Sequence, residues 1–538
     1  MTNRIHAAEY SAVVCAGIVS VCIGVAFIFP LAASFQPLFN GKNGIAFNYS
    51  NLFRITAYTF KIALGSTLTA AAAGIPAAFF TANRSFPGRR FLLSLSAVPL
   101  CIPPLIIALG FVGTFGMNGA LNTILMRILH LKNPPFTFLY SSAGVIIAQG
   151  FYNFPLVMAV VSTSWENLPV DERDAARMLG ADERHIFFTV TIHQLSPAVA
   201  AACIPVFLYC FFSFMIVLLF GTIGGTTLEV EIYQAARTTL DFKTASVYAL
   251  IETSFALAVI SAYSKIKPAY AAESPASAHR YNRTKIGDAL YESRSMKTAE
   301  YVSGILLGTV IVLFFLSPLA GILAGSITGK EGAYVFIKII HSAGFRNALL
   351  GTLETAPFSA LLCIITAFVY AWILRVRDPL GQNTLLQTLP MLPMAVSSVV
   401  MGYGMTLLVH HGTVPALIAA QAALAWPLAF RQIYASMCAI PQDTLDTAEL
   451  LSDTPPDTLF RIVLPSCRES IISSFSFCFA VSMGDTTLPL VLSVPRFDTL
   501  ALYTYRLASS YKFAASCACG TLLCILCILL FSLGKKHD

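Results

Sequence analysis

Charge is what this sequence has least of. Only 11% of its 538 residues are Asp, Glu, Lys or Arg, less than half of the roughly one quarter usual in soluble domains. A water-facing surface around one core, a disordered chain, a coiled coil and a nucleic-acid-binding domain all need far more, so each is excluded. Tryptophan is scarce too, at 3 residues, whereas 56% of the chain is hydrophobic and 12% aromatic. Mean hydropathy is +0.72. The excess of 34 Lys and Arg over 27 Asp and Glu, a formal +7, therefore reads as membrane topology rather than ligand attraction. An integral membrane protein is what remains.

Thirteen cysteines do not make a disulfide framework: the number is odd and eleven of them lie inside apolar runs. No histidine accompanies Cys517-x-Cys519 or Cys524-x-x-Cys527. In lipid such side chains act as small, soft apolar groups, and no metal or redox site is assigned to them.

A helix needs about 20 apolar residues to cross the hydrocarbon, and twelve segments reach that length. The first six fall near 11–35, 56–82, 91–115, 141–163, 195–220 and 242–264. The second six fall near 300–325, 347–374, 385–409, 412–434, 467–492 and 513–533. The first segment is longer than a signal-peptide core and has no clean cleavage site after it, so it reads as a retained helix. With both termini cytoplasmic, 21 of the 34 Lys and Arg lie inside, which agrees with the positive-inside rule. Pro99, Pro103, Pro104, Pro390 and Pro393 are expected to kink the third and ninth spans.

The expected organisation is two six-helix halves, 1–264 and 300–538, joined by a polar cytoplasmic linker at 265–299 rich in Pro, Ser and Ala. The linker's seven basic residues read first as a topology signal and second as a contact for anionic membrane lipid. The halves resemble each other. An offset of 272 places Pro155 on Pro427, Pro169 on Pro441, Asp174 on Asp446, Leu228 on Leu500 and Tyr233 on Tyr505. An offset of 292 places Phe53-Arg54 on Phe345-Arg346, the difference being absorbed by the longer external loop near 116–140. Repeats with an even number of spans have the same orientation, which predicts a path at their interface and favours a transporter.

Between the fourth and fifth span of each half lies a cytoplasmic segment, 169–197 and 441–465. Each opens with proline and acidic residues suited to a helix start, among them Glu172 and Asp174 in the first copy and Asp446 in the second. Small residues follow at Ala175-Ala176 and Thr447-Ala448, where another surface can approach closely, and then Gly180, or Ser452 in the second copy, ends the helix. Two matched helix-turn-helix projections suit docking onto two copies of a cytoplasmic partner.

This pattern resembles the EAA loop of bacterial ABC-transporter permeases. It is present as Asp174-Ala175-Ala176, Gly180 and Val190-x-Ile192-His193, and again as Asp446-Thr447-Ala448, Ser452 and Ile462-x-Leu464-Pro465. The first copy departs at the closing Leu-Pro and the second at the glycine. Over nearly the whole chain the layout is similar to fused double-length permeases of the ferric-iron and thiamine import group. Phe86–Arg90, Thr227–Tyr233 and Ser482–Asp485 carry the likeness.

The resemblance implies an all-α integral membrane protein with about 12 transmembrane helices, two six-helix repeats of the type I ABC importer permease fold. It implies a multi-pass place in the bacterial inner membrane. It also implies two copies of a cytoplasmic ABC ATPase that holds ATP and magnesium, and a periplasmic or lipid-tethered binding protein. The substrate it implies is a small cation, thiamine or its phosphates in the first place and ferric iron as the alternative. The chain itself is expected to be no enzyme, to bind no cofactor, metal or nucleic acid, and to have no nucleotide site. Gly325–Lys330 has three residues between its glycines where a phosphate-binding loop has four. An ion-coupled secondary transporter explains twelve spans but not the paired docking loops.

Ionisable groups at membrane depth are costly and so are functional candidates. Asp485 in the eleventh span, Glu252 in the sixth and Glu354 in the eighth are candidates to line a cation path, each weighed against a structural carboxylate paired locally. Glu229, Glu231 and Tyr233 follow the fifth span, either as a re-entrant outer gate or as a plain solvated loop. Gln149 and Gln421, at matched positions, are expected to hydrogen-bond between helices, and His341, His410 and His411 to be interfacial rather than metal ligands.

Overall fold

The computed structural model of the chain describes residues 24–39, 49–94, 102–169, 171–221, 225–264, 284–285, 294–327, 332–377, 386, 389–451 and 455–535. Ser452, Pro99 and most of the linker lie outside them. Lipid offers the backbone no hydrogen-bond partner, so a chain this apolar must satisfy its amides internally, and helices do so within one segment. The first half contains α1 (Phe29–Phe35), α2 (Tyr49–Asn83), α3 (Pro104–Phe115), the short α4 (Ala120–Ile128) and α5 (Ser142–Glu166). It continues with α6 (Asp171–Met178), α7 (Glu183–Ile186), α8 (Ile192–Phe211), α9 (Met215–Phe220), α10 (Leu228–Gln234) and α11 (Phe242–Ser264).

The second half opens on α12 (Arg294–Ile311), α13 (Ser317–Ile327), the short α14 (Tyr334–His341), α15 (Ala343–Arg377), α16 (Ser398–Val409) and α17 (Val414–Cys438). It ends with α18 (Gln442–Leu451), α19 (Pro455–Thr458), α20 (Arg468–Gly484), α21 (Thr487–Leu492), α22 (Leu500–Ser509) and α23 (Phe513–Lys535). Helix α12 begins inside the stretch expected to be linker. The one strand pairing among the described residues is a two-residue parallel contact, Arg84–Ser85 with Thr284–Lys285.

Each of the twelve expected spans meets helix. Nine helices among the described residues are long and apolar enough to cross a membrane, and a tenth is added if the bent pair Leu389–Ala395 and Ser398–Val409, at 96°, counts as one. Two expected spans fall short of that length. The first is described only from residue 24. The eleventh is broken between α20 and α21 at Asp485-Thr486.

Within each half the long second helix packs along the fourth span, α2 on α5 and α15 on α17. Buried hydroxyls tie these helices to the segment beyond the fifth span. Thr59 accepts from the Leu228 amide at 3.0 Å, and Thr352 accepts from the Leu500 amide at 2.7 Å. That contact sets the repeat of the long helices at 293, one residue from the offset read from Phe53-Arg54, while the later elements keep 272. The π-helical turns Phe187–Thr191 and Leu459–Val463 match at 272. So do the left-handed residues Gly221 and Ser493 after α9 and α21.

The halves are held together by close packing. Gly110 of α3 lies against the Pro318 carbonyl of α13, where a Cβ would overlap backbone. Phe314 stacks on Phe115 at 5.5 Å and on Phe151 at 5.0 Å between ring centroids, contacts worth about 0.5–1.5 kcal/mol each. At the α6 end a buried Arg84–Glu300 ion pair joins α12 to the residue after α2. The outward faces are apolar: Leu350, Leu353, Phe358, Leu361 and Ile365 are exposed along α15, as lipid contact requires.

Candidate translocation cavity and docking helices

Between the halves lies a cavity of about 380 Å³, within the range of small-molecule sites. It forms where helices break. Span five is interrupted at 212–214 and span eleven at 485–486, and Phe212, Ser213, Gly484 and Asp485 all line the wall. The 3₁₀ segment Leu389–Ala395 that opens span nine adds Pro393 and Met394. Pro155 and Pro427 lie inside α5 and α17 just before Leu156 and Leu428, which also face the space.

Asp485 has two roles in the structure. Its Oδ1 accepts from the Thr487 amide at 3.0 Å and the Leu488 amide at 3.3 Å, which caps α21. Its Oδ2 accepts from Gln421 at 3.3 Å on the cavity wall. By the 272 offset its counterpart is Ser213, so the wall is charged on one side only. Gln149 accepts from Ser66 at 2.9 Å and Gln421 donates to the Ser482 carbonyl at 3.2 Å, so both glutamines bridge helices while also lining the cavity. Tyr152, Tyr209, Phe212 and Phe477 supply aromatic surface beside them.

The other carboxylates are placed differently. Glu229 of α10 and Glu252 of α11 are each 1% exposed and lie near each other and Ser397, which lines the cavity, but no carboxylate oxygen of either makes a hydrogen bond among the described residues. They sit one layer behind the wall. Glu231 is half-buried on α10, and Tyr233 packs edge-on against the cavity residue Phe214 at 5.2 Å. The segment after the fifth span is thus a packed helix, not a free loop. Glu354 is exposed on α15 and is not among the cavity residues. His341, His410 and His411 are exposed, and no group of three or more potential metal ligands occurs among the described residues. Gly325–Ile327 are helical in α13 rather than a phosphate-binding loop; 328–330 lie outside the described residues.

At the opposite end of α5 from α4, α6 projects with Glu172, Asp174 and Ala175 exposed. Arg177 pairs with Asp174 at 2.6 Å, and Gln194 donates to Glu172 at 2.5 Å, tying α6 to α8. Gly180 ends the turn at φ +86°, and the Ala181 amide closes on the Ala176 carbonyl at 3.1 Å. In the second copy Asp446 and Thr447 are exposed on α18. Ala448 is buried within the chain, so its small side chain serves the packing of the loop itself.

Two features escaped sequence reasoning. Met178-Leu179 and Leu450-Leu451 form the tips of the two projections, with exposures of 89%, 89%, 81% and 82%. The 272 offset matches them, and reading it for apolar as well as acidic positions finds them. Arg237, after α10, reaches across to the second half and donates Nε to the Val491 carbonyl at 2.6 Å. A lone arginine in the helical turn Ala235–Thr239 that follows α10 gave no signal. Beyond α21, Asp498 pairs with Arg506 at 2.6 Å; burial raises the carboxyl pKa and the guanidinium pulls it back.

Two like-oriented helical repeats around a central cavity define a multi-pass membrane permease. The chain belongs to the family described as the binding-protein-dependent transport system inner membrane component, matched over residues 74–266 and 381–536. It is the permease of an ABC importer, with the type I fold of two six-helix repeats. Members of this family are inner-membrane transport subunits rather than enzymes, and they work with an ATPase and a substrate-binding protein. The chain is 26% identical to the thiamine transport system permease protein ThiP of Escherichia coli over 90% of this chain and 89% of that one. It is 25% identical to ThiP of Brucella suis over 90% and 88%. A putative 2-aminoethylphosphonate transport system permease protein, PhnU of Salmonella typhi, is 31% identical over 33% of this chain and 62% of its own length.

Proposed function

We propose that this permease carries thiamine or its phosphates across the inner membrane, driven by two copies of an ATPase that dock on α6 and α18. The observation that supports the substrate is likeness to thiamine permeases along 90% of the chain, through both repeats. The cavity agrees in chemistry: one carboxylate, Asp485, and several aromatic rings suit a small aromatic cation. ATP and magnesium reside on the ATPase, and the chain contributes the path, 1–264 and 300–538 acting as two rocking halves about the linker. Both termini lie on the cytoplasmic side with α6 and α18. Glu172, Asp174, Ala175, Ala176 and Gly180, with Asp446, Thr447 and Ser452, shape the docking loops. Glu229, Glu252, Glu231 and Tyr233 support the gate behind the cavity.

The test is uptake of radiolabelled thiamine and of ferric iron in cells with and without this gene, each competed by the other. Loss of thiamine uptake that unlabelled thiamine, but not iron, competes supports the reading. Loss of iron uptake alone replaces thiamine with the ferric-iron alternative.

A further inference from the structure

Helices α4 and α14 are two of the short helices on the face opposite the docking loops, α4 being the outer end of the apolar stretch Pro104–Ile128. Helix α5 runs from α4 toward α6, and α15 runs from α14 to Arg375, which reaches the Ile440 carbonyl just before α18. Both short helices pack against α13. Each shows an exposed pattern at positions i, i+3 and i+4, Ile124, Arg127, Ile128 on α4 and Tyr334, Ile337, Lys338 on α14, with His341 one turn further along α14. Ile128 is 67% exposed and Ile337 53%. Such a face suits neither bulk water, because it is half apolar, nor hydrocarbon, because it carries charge. The headgroup layer satisfies both demands.

The face is also held in place. Asn122 is fully buried on the inner side of α4, donating to the Gly116 carbonyl at 2.9 Å and the Phe136 carbonyl at 2.8 Å and accepting from the Phe136 amide at 2.9 Å. These bonds staple α4 to both ends of its loop, so the exposed face is fixed rather than chosen by rotation. The charge is mainly basic: Arg127, Lys132, Lys338 and Arg346 fall within 116–140 and 332–353, and the nearest acidic residues in sequence to the second stretch are Glu331 and Glu354 at its two ends. Basic residues on this face run against the positive-inside preference, and an anionic surface beside them offsets that.

We propose that α4 and α14 form an interfacial collar that binds anionic phospholipid headgroups on the membrane face away from the ATPase. The full-length chain, co-purified with its ATPase, is reconstituted in nanodiscs of phosphatidylcholine with or without phosphatidylglycerol. Indoles are introduced singly as I128W and I337W and read after subtraction of the parent spectrum. Blue-shifted emission, quenched most by lipids brominated near the headgroup, is expected. Native mass spectrometry should retain phosphatidylglycerol on the parent, and R127Q/K132Q or K338Q should lower that retention about five-fold per charge removed. Indoles that emit as in water and ignore the brominated lipids overturn the proposal. So does retention unchanged by both charge variants, or burial of the indoles only when the binding protein is added.

Discussion

At the scale of single residues, Asp485 separates two jobs that one substitution cannot confuse with another. D485N keeps an oxygen to accept from the Thr487 and Leu488 amides but removes the charge from the cavity wall. Losing one cation–carboxylate attraction at a partly wet site amounts to about 1.4 kcal/mol, so the KM for a cationic substrate should rise about ten-fold, with ATPase activity in the absence of substrate unchanged. D485A loses the cap as well, and thermal melting should show about 1 kcal/mol less stability. If uptake by D485N matches the parent, Asp485 is a cap and nothing more. Gly180 offers a backbone test of the docking loop. At φ +86° with open space where a Cβ would sit, an added methyl meets strain and no clash. G180A should cost about 1–2 kcal/mol at the turn, read as weaker co-purification of the ATPase while the chain still inserts in the membrane.

Among the elements, the docking projections make the sharpest prediction. The apolar tips are almost wholly exposed, so M178D/L179D and L450D/L451D leave the fold unaltered. Burying two such side chains in a partner contributes about 3 kcal/mol or more. Either double variant should therefore cut ATPase association more than ten-fold, measured by pull-down, and both together should abolish uptake. A variant that retains full association shows that its projection does not dock. The elements also show what hydropathy reads and what it misses. Runs of apolar residues mark the nine or ten membrane-length helices among the described residues, because lipid demands their length. The break at 212–214 leaves little trace in hydropathy, since Ser213 is a single polar residue in an apolar run, whereas the break at 485–486 falls in the short polar cluster Gly484-Asp485-Thr486-Thr487. Which face of a span looks inward is equally hidden. Lipid and protein neighbours are both apolar, so the 3.6-residue contrast that marks a soluble helix is lost, and Glu354 could not be told from a cavity residue. The acidic residues of the two projections, Glu172, Asp174 and Asp446, lie in water, where polar patterning keeps its meaning, whereas buried Ala448 shows that a small residue there can serve the loop's own packing.

For the whole molecule, the two repeats must part at one face while they close at the other, and one polar contact between them lies away from the docking loops. Arg237 places its guanidinium on the Val491 carbonyl, near the C-terminal end of α21, where the helix dipole favours a cation. By the 272 offset its counterpart is Ser509, so the latch is one-sided and no second copy compensates for its loss. A charge-assisted hydrogen bond at an exposed guanidinium contributes about 1–1.5 kcal/mol. Because the contact ties one half to the other, its removal should favour the state in which α10 and α21 have separated by about ten-fold. R237A should then raise ATPase turnover in the absence of binding protein. It should also increase labelling of a cysteine introduced by V491C, and R237K should recover part of both effects. Equal labelling and turnover in R237A and the parent would show that the contact persists through the cycle and that the halves open elsewhere.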